Sequence, residues 1–186
     1  MKEHRISIDL GTDKQPVSGM VIVPENPVAV IILGHGAGAG MEHSFMTRLA
    51  HNLSAQNIGT LRYNFPYMEQ GKRSPSAPSI SENTVRAAVQ KANQMFPGTI
   101  LLAGGKSYGG RMTSQAQSKI SLAGVSGLVF FGFPLHAPGK PGDSRGVHLS
   151  NINIPMLFLQ GSRDKLADLS LLKPLLDSLN KVSLKI

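Results

Sequence analysis

Hydrophobic positions along the chain change period repeatedly, and each change marks an element. His4 to Leu10 alternates, with Ile6, Ile8 and Leu10 on one face. Gly11 to Pro16 reads as a turn, and Val17 to Val23 alternates again, so the spacing predicts an antiparallel hairpin at a sheet edge. Val28 to Leu33 is continuously apolar, as in a strand buried on both faces. Phe45, Met46, Leu49, Ala50 and Leu53 recur at helical spacing, which predicts an amphipathic helix over 43–56. Ile58 to Phe65 is the next strand, and Pro66 to Pro78, rich in Pro, Ser, Gly and charge, reads as a mobile loop. Ser79-Ile80-Ser81-Glu82 has capping-box spacing. Val85, Ala88, Val89, Ala92 and Met95 then carry a helix that Pro97-Gly98 ends.

The second half continues the alternation. Ile100 to Ala103 is a short apolar run, and Arg111 to Lys119 reads as a polar-faced helix. Ser126 to Phe133 is a strand, His136 to Val147 a loop, and Pro155 to Gln160 a strand. Asp168 caps a helix bearing Leu171, Leu172, Leu175 and Leu179, and Val182 to Ile186 alternates as a last strand. After the hairpin the order is therefore β-α-β-α-β-α-β-loop-β-α-β, which implies a mainly parallel sheet with helices on both faces. No insertion between the sixth and seventh strands is long enough for a helical lid.

At 186 residues, one α/β domain is the expectation. A charged fraction of 16% against 41% hydrophobic fits a packed core rather than a disordered chain. There is no cysteine, which removes disulfides, thiolate chemistry and cysteine metal sites and fits a reducing compartment. The first residues lack the apolar core of a signal peptide, and no apolar run could span a membrane. A soluble, cytoplasmic protein with no membrane partner is expected. The net charge of +8 raises nucleic-acid binding, but the basic residues are scattered and aromatics are only 5%, poor material for base stacking. A solvated basic surface accounts for the charge better.

Chemistry concentrates where a strand meets a helix. Gly105-Lys106-Ser107-Tyr108-Gly109 follows the apolar run at 100–103 and precedes the helix at 111–119. Strand, glycine-flanked turn with a central Ser, then helix is the context of a nucleophile elbow. The helix would aim its N-terminal amides where an oxyanion forms. A second glycine-rich loop, Gly34-His35-Gly36-Ala37-Gly38-Ala39-Gly40, follows the third strand. Its spacing is not G-x-G-x-x-G, and 60–64 holds no acidic residue for a ribose, so an oxyanion loop fits better than dinucleotide binding. Ligands of such sheets bind beyond the carboxyl ends of the strands, which gathers this loop, Ser107 and the turn Gly161-Ser162-Arg163-Asp164 at one edge. Asp164 is placed to be the acid of a triad. Asp168 is the rival, but it begins a helix, where capping explains it. No metal site or cofactor is implied.

Together G105-K-S-Y-G109, the G34-H-G-A-G38 loop and QGSRD ending at Asp164 resemble the α/β-hydrolase superfamily, in particular small lidless members of the dienelactone-hydrolase-like kind. The resemblance implies a three-layer α/β sandwich with an antiparallel N-terminal edge hairpin. It makes Ser107 the nucleophile, the Tyr108 and Ala37 amides the oxyanion hole, and Asp164 the acid. The family carries its base, a histidine, after the last strand, followed by a helix. Here none of the six histidines, at 4, 35, 43, 51, 136 and 148, follows Asp164. The expectation is a C-terminally truncated domain over 1–186, lacking the C-terminal helix, with a natural loss of the base as the other case. His35 and His136 follow strand ends and are the only candidates for a substitute base.

The resulting expectation is a serine hydrolase of ester, lactone or thioester bonds, acting through an acyl-enzyme on a small molecule. The alternative is a catalytically inactive binding or scaffold protein on the same fold. Lys72, Arg73, Lys106, Lys140, Arg145, Arg163 and Lys165 would rim the mouth and favour an anionic substrate. Phe65 and Tyr67, with His35 and His136, are candidate pocket residues. The oligomeric state is not legible.

Overall fold

The computed structural model describes residues 3–186. Its strands are β1 (His4–Ile8), β2 (Val17–Ile22), β3 (Ala29–Gly34), β4 (Ile58–Tyr63), β5 (Leu101–Lys106), β6 (Val125–Phe131), β7 (Met156–Leu159) and β8 (Val182–Lys185). Its α-helices are α1 (Ser44–Ala55), α2 (Pro66–Glu69), α3 (Pro78–Met95), α4 (Tyr108–Lys119) and α5 (Leu169–Asp177). The strands form one sheet in the order β1-β2-β4-β3-β5-β6-β7-β8. β2 runs antiparallel to both β1 and β4, and every other pair is parallel. The edge hairpin and the parallel body are thus as the periodicity implies. Among the described residues no helix is long and apolar enough to cross a membrane.

All six residues of β3 are buried, which is why its run carries no alternation. On one face, α3 and α4 cover the larger cluster, which includes Val30, Ile32, Tyr63, Val85, Met112 and Phe130. On the other, Met46 of α1 packs on Ile31 and Leu33, with Phe45, Leu49, Leu53, Leu102 and Phe131 around them. Each such side chain removed from water contributes roughly 1.5–3 kcal/mol.

Three local expectations give way to tertiary packing. The stretch 66–78, read as a loop, opens with the single turn of α2, begun by a proline at its first position, where a missing N–H costs nothing. The capping box at 79–82 is not used: α3 starts earlier, at Pro78, with Ala77 in the cap position. Glu82 turns inward instead and pairs with Lys119 of α4 at 2.7 Å. A 3-10 helix at Val147–Asn151, docked on α4, ends the loop after β6.

The tightest joint is built from glycines. Gly34 ends β3, Gly105 lies near the end of β5, and Gly109 is in the first turn of α4. A Cβ on Gly109 would stand 2.2 Å from the Gly34 carbonyl oxygen, and one on Gly105 2.1 Å from the same atom. Gly104 is as crowded, with 1.8 Å to the Val129 oxygen. No side chain fits, so helix and strands meet backbone to backbone. Gly109→Ala is expected to destabilise the fold by about 3 kcal/mol in urea unfolding. Gly142→Ala, where nothing lies within 4 Å, is expected to change it little. Equal midpoints for the two variants would remove the joint's importance.

Candidate active site

Ser107 is the single residue between β5 and α4, at φ 48°, ψ −109°. A non-glycine residue in this region carries strain of about 1–3 kcal/mol. It is held there by two backbone bonds: its N–H donates to Phe131 O at 3.2 Å, and its carbonyl accepts from Arg111 N at 3.1 Å. The half-buried hydroxyl makes no hydrogen bond to any described residue. Tyr108 opens α4, so its amide has no acceptor within the helix. Its ring is buried against Phe65 and Tyr67, and its hydroxyl lies 2.8 Å from Ser81 Oγ of α3.

The 34–40 loop is fastened by the segment after β4. Phe65 N–H donates to His35 Nε2 at 3.2 Å, Met41 N–H to Asn64 Oδ1 at 2.8 Å, and Gly38 N–H to Tyr67 Oη at 3.4 Å. Ala37, at the exposed tip, keeps its amide free of backbone partners. Phe65 and Tyr67, expected as pocket residues, are therefore buried supports of this loop. Sequence reading missed this role because Pro66 hides the turn of α2 inside an apparent loop.

Asp164 sits in the turn after β7 with both oxygens engaged. Oδ1 accepts from Leu166 N and Oδ2 from Gln160 Nε2, each at 2.9 Å. Gln160 is buried, and its Oε1 accepts from Phe133 N at 2.8 Å, tying the carboxylate to the end of β6. Gln160, which the sequence analysis did not single out, holds this carboxylate in place; a lone glutamine ending an apolar strand was its only signal. Asp168 is exposed and caps α5 through Ser170 N at 2.8 Å.

Of the described histidines, His35, His136 and His148 are engaged by hydrogen bonds. His35 is fully buried: Nδ1 donates to Gly36 O at 2.7 Å while Nε2 accepts from Phe65 N, and burial lowers its pKa. His136 repeats the wiring, with Nδ1 donating to Ala137 O at 3.0 Å and Nε2 accepting from Asp168 N at 3.1 Å. His148 Nε2 lies 2.7 Å from Ser114 Oγ. His4, His43 and His51 are exposed, and His43 caps α1.

A cleft of about 520 Å³ opens beside Asp164, lined by Phe45, Lys106, Phe131, Gly132, Leu159 and 161–164. Ser107 is not among its lining residues. Lys106 lies over the Phe45 ring, 5.6 Å from its centroid, and Lys106 Nζ and Asp164 Oδ2 both crowd Gly132, at 3.0 and 3.1 Å from where a Cβ would stand. Lys72, Arg73, Lys140, Arg163 and Lys165 are exposed, while Lys106 and Arg145 are half-buried.

A family model described as "Alpha/beta hydrolase domain" matches residues 27–185. A lidless α/β serine hydrolase of Xanthomonas campestris superposes with a TM-score of 0.77 at 19% identity, over 99% of this chain and 83% of that one. Dienelactone hydrolase of Anabaena variabilis gives 0.80 at 16%, over 98% and 84%. Est1E of Butyrivibrio proteoclasticus, in a structure with ferulic acid bound, gives 0.77 at 15%, over 97% and 88%. At these identities the likeness is one of fold.

The half-buried ring of His148 carries a pH signature. Burial first, and the Arg111 charge second, push its pKa down to about 4, below the ordinary 6.5. The folded state then binds fewer protons than the unfolded chain between those values, so stability is full above pH 6.5 and falls as pH drops to about 4. His35 contributes in the same direction. The urea midpoint of His148→Gln is expected to fall less over this window, the difference being on the order of 1–2 kcal/mol after screening. Parallel profiles would assign the acid lability elsewhere.

Proposed function

The chain belongs to the alpha/beta hydrolase family, and from that premise we propose that it is a serine hydrolase of small-molecule ester, lactone or thioester bonds. The observation that carries this is Ser107: a strained residue at a strand-to-helix turn with an unbonded hydroxyl, followed by the Tyr108 amide, which has no acceptor within the helix. Its Oγ attacks the carbonyl carbon, and the displaced electron pair becomes an oxyanion facing the Tyr108 and Ala37 N–H groups. Collapse breaks the bond to the leaving oxygen or sulfur, which takes up a proton, and leaves an acyl-Ser107. Water then attacks the acyl carbon, freeing the acid and restoring the hydroxyl.

A serine hydroxyl needs a base to take its proton, and an acid to orient and stabilise that base. Asp164, fixed by Gln160 and Leu166, fits the acid's part. Its open neighbour is the cleft, with room for an imidazole. The surplus of positive charge favours an anionic substrate over a cationic one. A cysteine-free chain suits the cytoplasm.

The occupied nitrogens of His35 and His136 favour a second reading, a hydrolase-fold protein that binds an ester without turning it over. A fluorophosphonate probe separates the two. Labelling of Ser107, abolished in Ser107→Ala, is the expected result. Free imidazole is expected to speed it at least tenfold, and less so in Asp164→Asn. Labelling that persists in Ser107→Ala would sink the nucleophile assignment, and none at any imidazole concentration would favour the binding protein.

A further inference from the structure

The glycine-rich loop after β3 hangs between two fixed feet. At one, His35 is pinned by the Phe65 amide. At the other, both peptide groups of Met41 are taken by side chains at the end of β4. Asn64 Oδ1 accepts from Met41 N at 2.8 Å, and Arg62 Nη1 donates to Met41 O at 3.1 Å. Residues two apart on extended chain share a face, so Arg62-Tyr63-Asn64 presents a donor and an acceptor side by side. Between the feet, 36–40 is all glycine and alanine, with Gly38 and Gly40 at φ 69° and 74°. Its own ties are long: Ala39 N–H to Gly36 O at 3.2 Å and Gly38 N–H to Tyr67 Oη at 3.4 Å. An arch of such residues takes its shape from its feet.

The foot at Met41 is built on a cation with almost no access to water, since Arg62 is 1% exposed. Its guanidinium also donates to Thr47 Oγ1 of α1 at 3.1 Å and pairs with Glu3, just ahead of β1. Its Nε is buried without a partner. Arg5, in register with Met20 and through it with Arg62, pairs in turn with Glu42, the residue after Met41. Burying a charge in this way is costly, and an apolar side chain of like size would serve the packing as well or better. An apolar side chain could not hold a peptide carbonyl. We propose that Arg62 is a positioning residue: by fixing Met41 it sets the 36–40 arch, and with it the aim of the Ala37 amide at an oxyanion formed on Ser107. The proposal rests on the reading of Ser107 as nucleophile and Ala37 as oxyanion donor, and adds the residue that aims the donor.

Two readouts test it. Fluorophosphonate labelling, followed against probe concentration with imidazole present, separates the rate of bond formation from the concentration that half-saturates it. Arg62→Met is expected to cut the rate about tenfold and to leave the half-saturating concentration unchanged. Arg62→Lys, which keeps a donor for Met41 O, is expected to recover part of the loss. Arg48→Met removes the same charge from the exposed face of α1 and is expected to label like the native chain. Amide hydrogen exchange reports on the arch without any chemistry. In Arg62→Met the amides of 37–41 are expected to exchange about tenfold faster, and those of β5 and β6 at the native rate. Native labelling together with native exchange in Arg62→Met would overturn the proposal. So would faster exchange of the arch with labelling unchanged, or a loss of protection spread evenly over β5 and β6. Should Arg62→Met not fold, Glu3→Gln, which strips the counter-ion from the edge of the sheet, is expected to move both readouts the same way by less; no movement in either would overturn the proposal. If the native chain is not labelled at all, the nucleophile reading fails, and exchange confined to the arch still decides whether Arg62 holds the loop.

Discussion

The contact of Gly34 with Gly105 and Gly109 is the constraint on which the rest depends. Backbone meets backbone because no Cβ intervenes, and the end of β3 is thereby pressed against the start of α4. The chain must then turn from β5 into α4 within one residue. Ser107 takes the strain of that turn, and its side chain is half-buried with no hydrogen bond to a described residue. The same contact brings the loop that begins at His35 alongside the elbow. The glycine-rich loop after β3 and the Ser107 turn lie alongside each other because the backbones that lead into and out of them are packed too closely to admit a methyl group.

Much of this was legible in the residues. The unbroken apolar run before Gly34 marked the buried central strand, and alternation in Ile6 to Leu10 and Val17 to Val23 marked the antiparallel hairpin. Strand, Gly-Lys-Ser-Tyr-Gly and helix gave the elbow. What was not legible depends on distant partners. Ser79 and Glu82 have the spacing of a capping box, but Glu82 is drawn to Lys119, and Ser81 to Tyr108, both on α4. Propensity offered a cap; the facing helix offered stronger partners. Likewise Asn64, Phe65 and Tyr67 look like the frayed end of a strand until the glycine loop they fasten is in place. Gln160 carried only a weak sequence signal because its use, bridging Phe133 and Asp164, depends on a segment 27 residues away.

The histidines illustrate how position misleads without wiring. His35 and His136 both follow strand ends, where a base is expected. In each, Nδ1 donates to the next carbonyl and Nε2 accepts a distant amide. The ring becomes a brace between loops, fixed as one neutral tautomer. Such a ring joins segments that no regular backbone pairing could join, which explains a buried histidine at the foot of a glycine-rich loop.

The glycine joint also divides the molecule by its response to solution. It contains no ionisable group and no rotatable side chain, so neither proton nor salt concentration acts on it directly. The shape of the turn at Ser107 is therefore insulated from the medium, and changes in the medium act through the surrounding charges, on what approaches the turn.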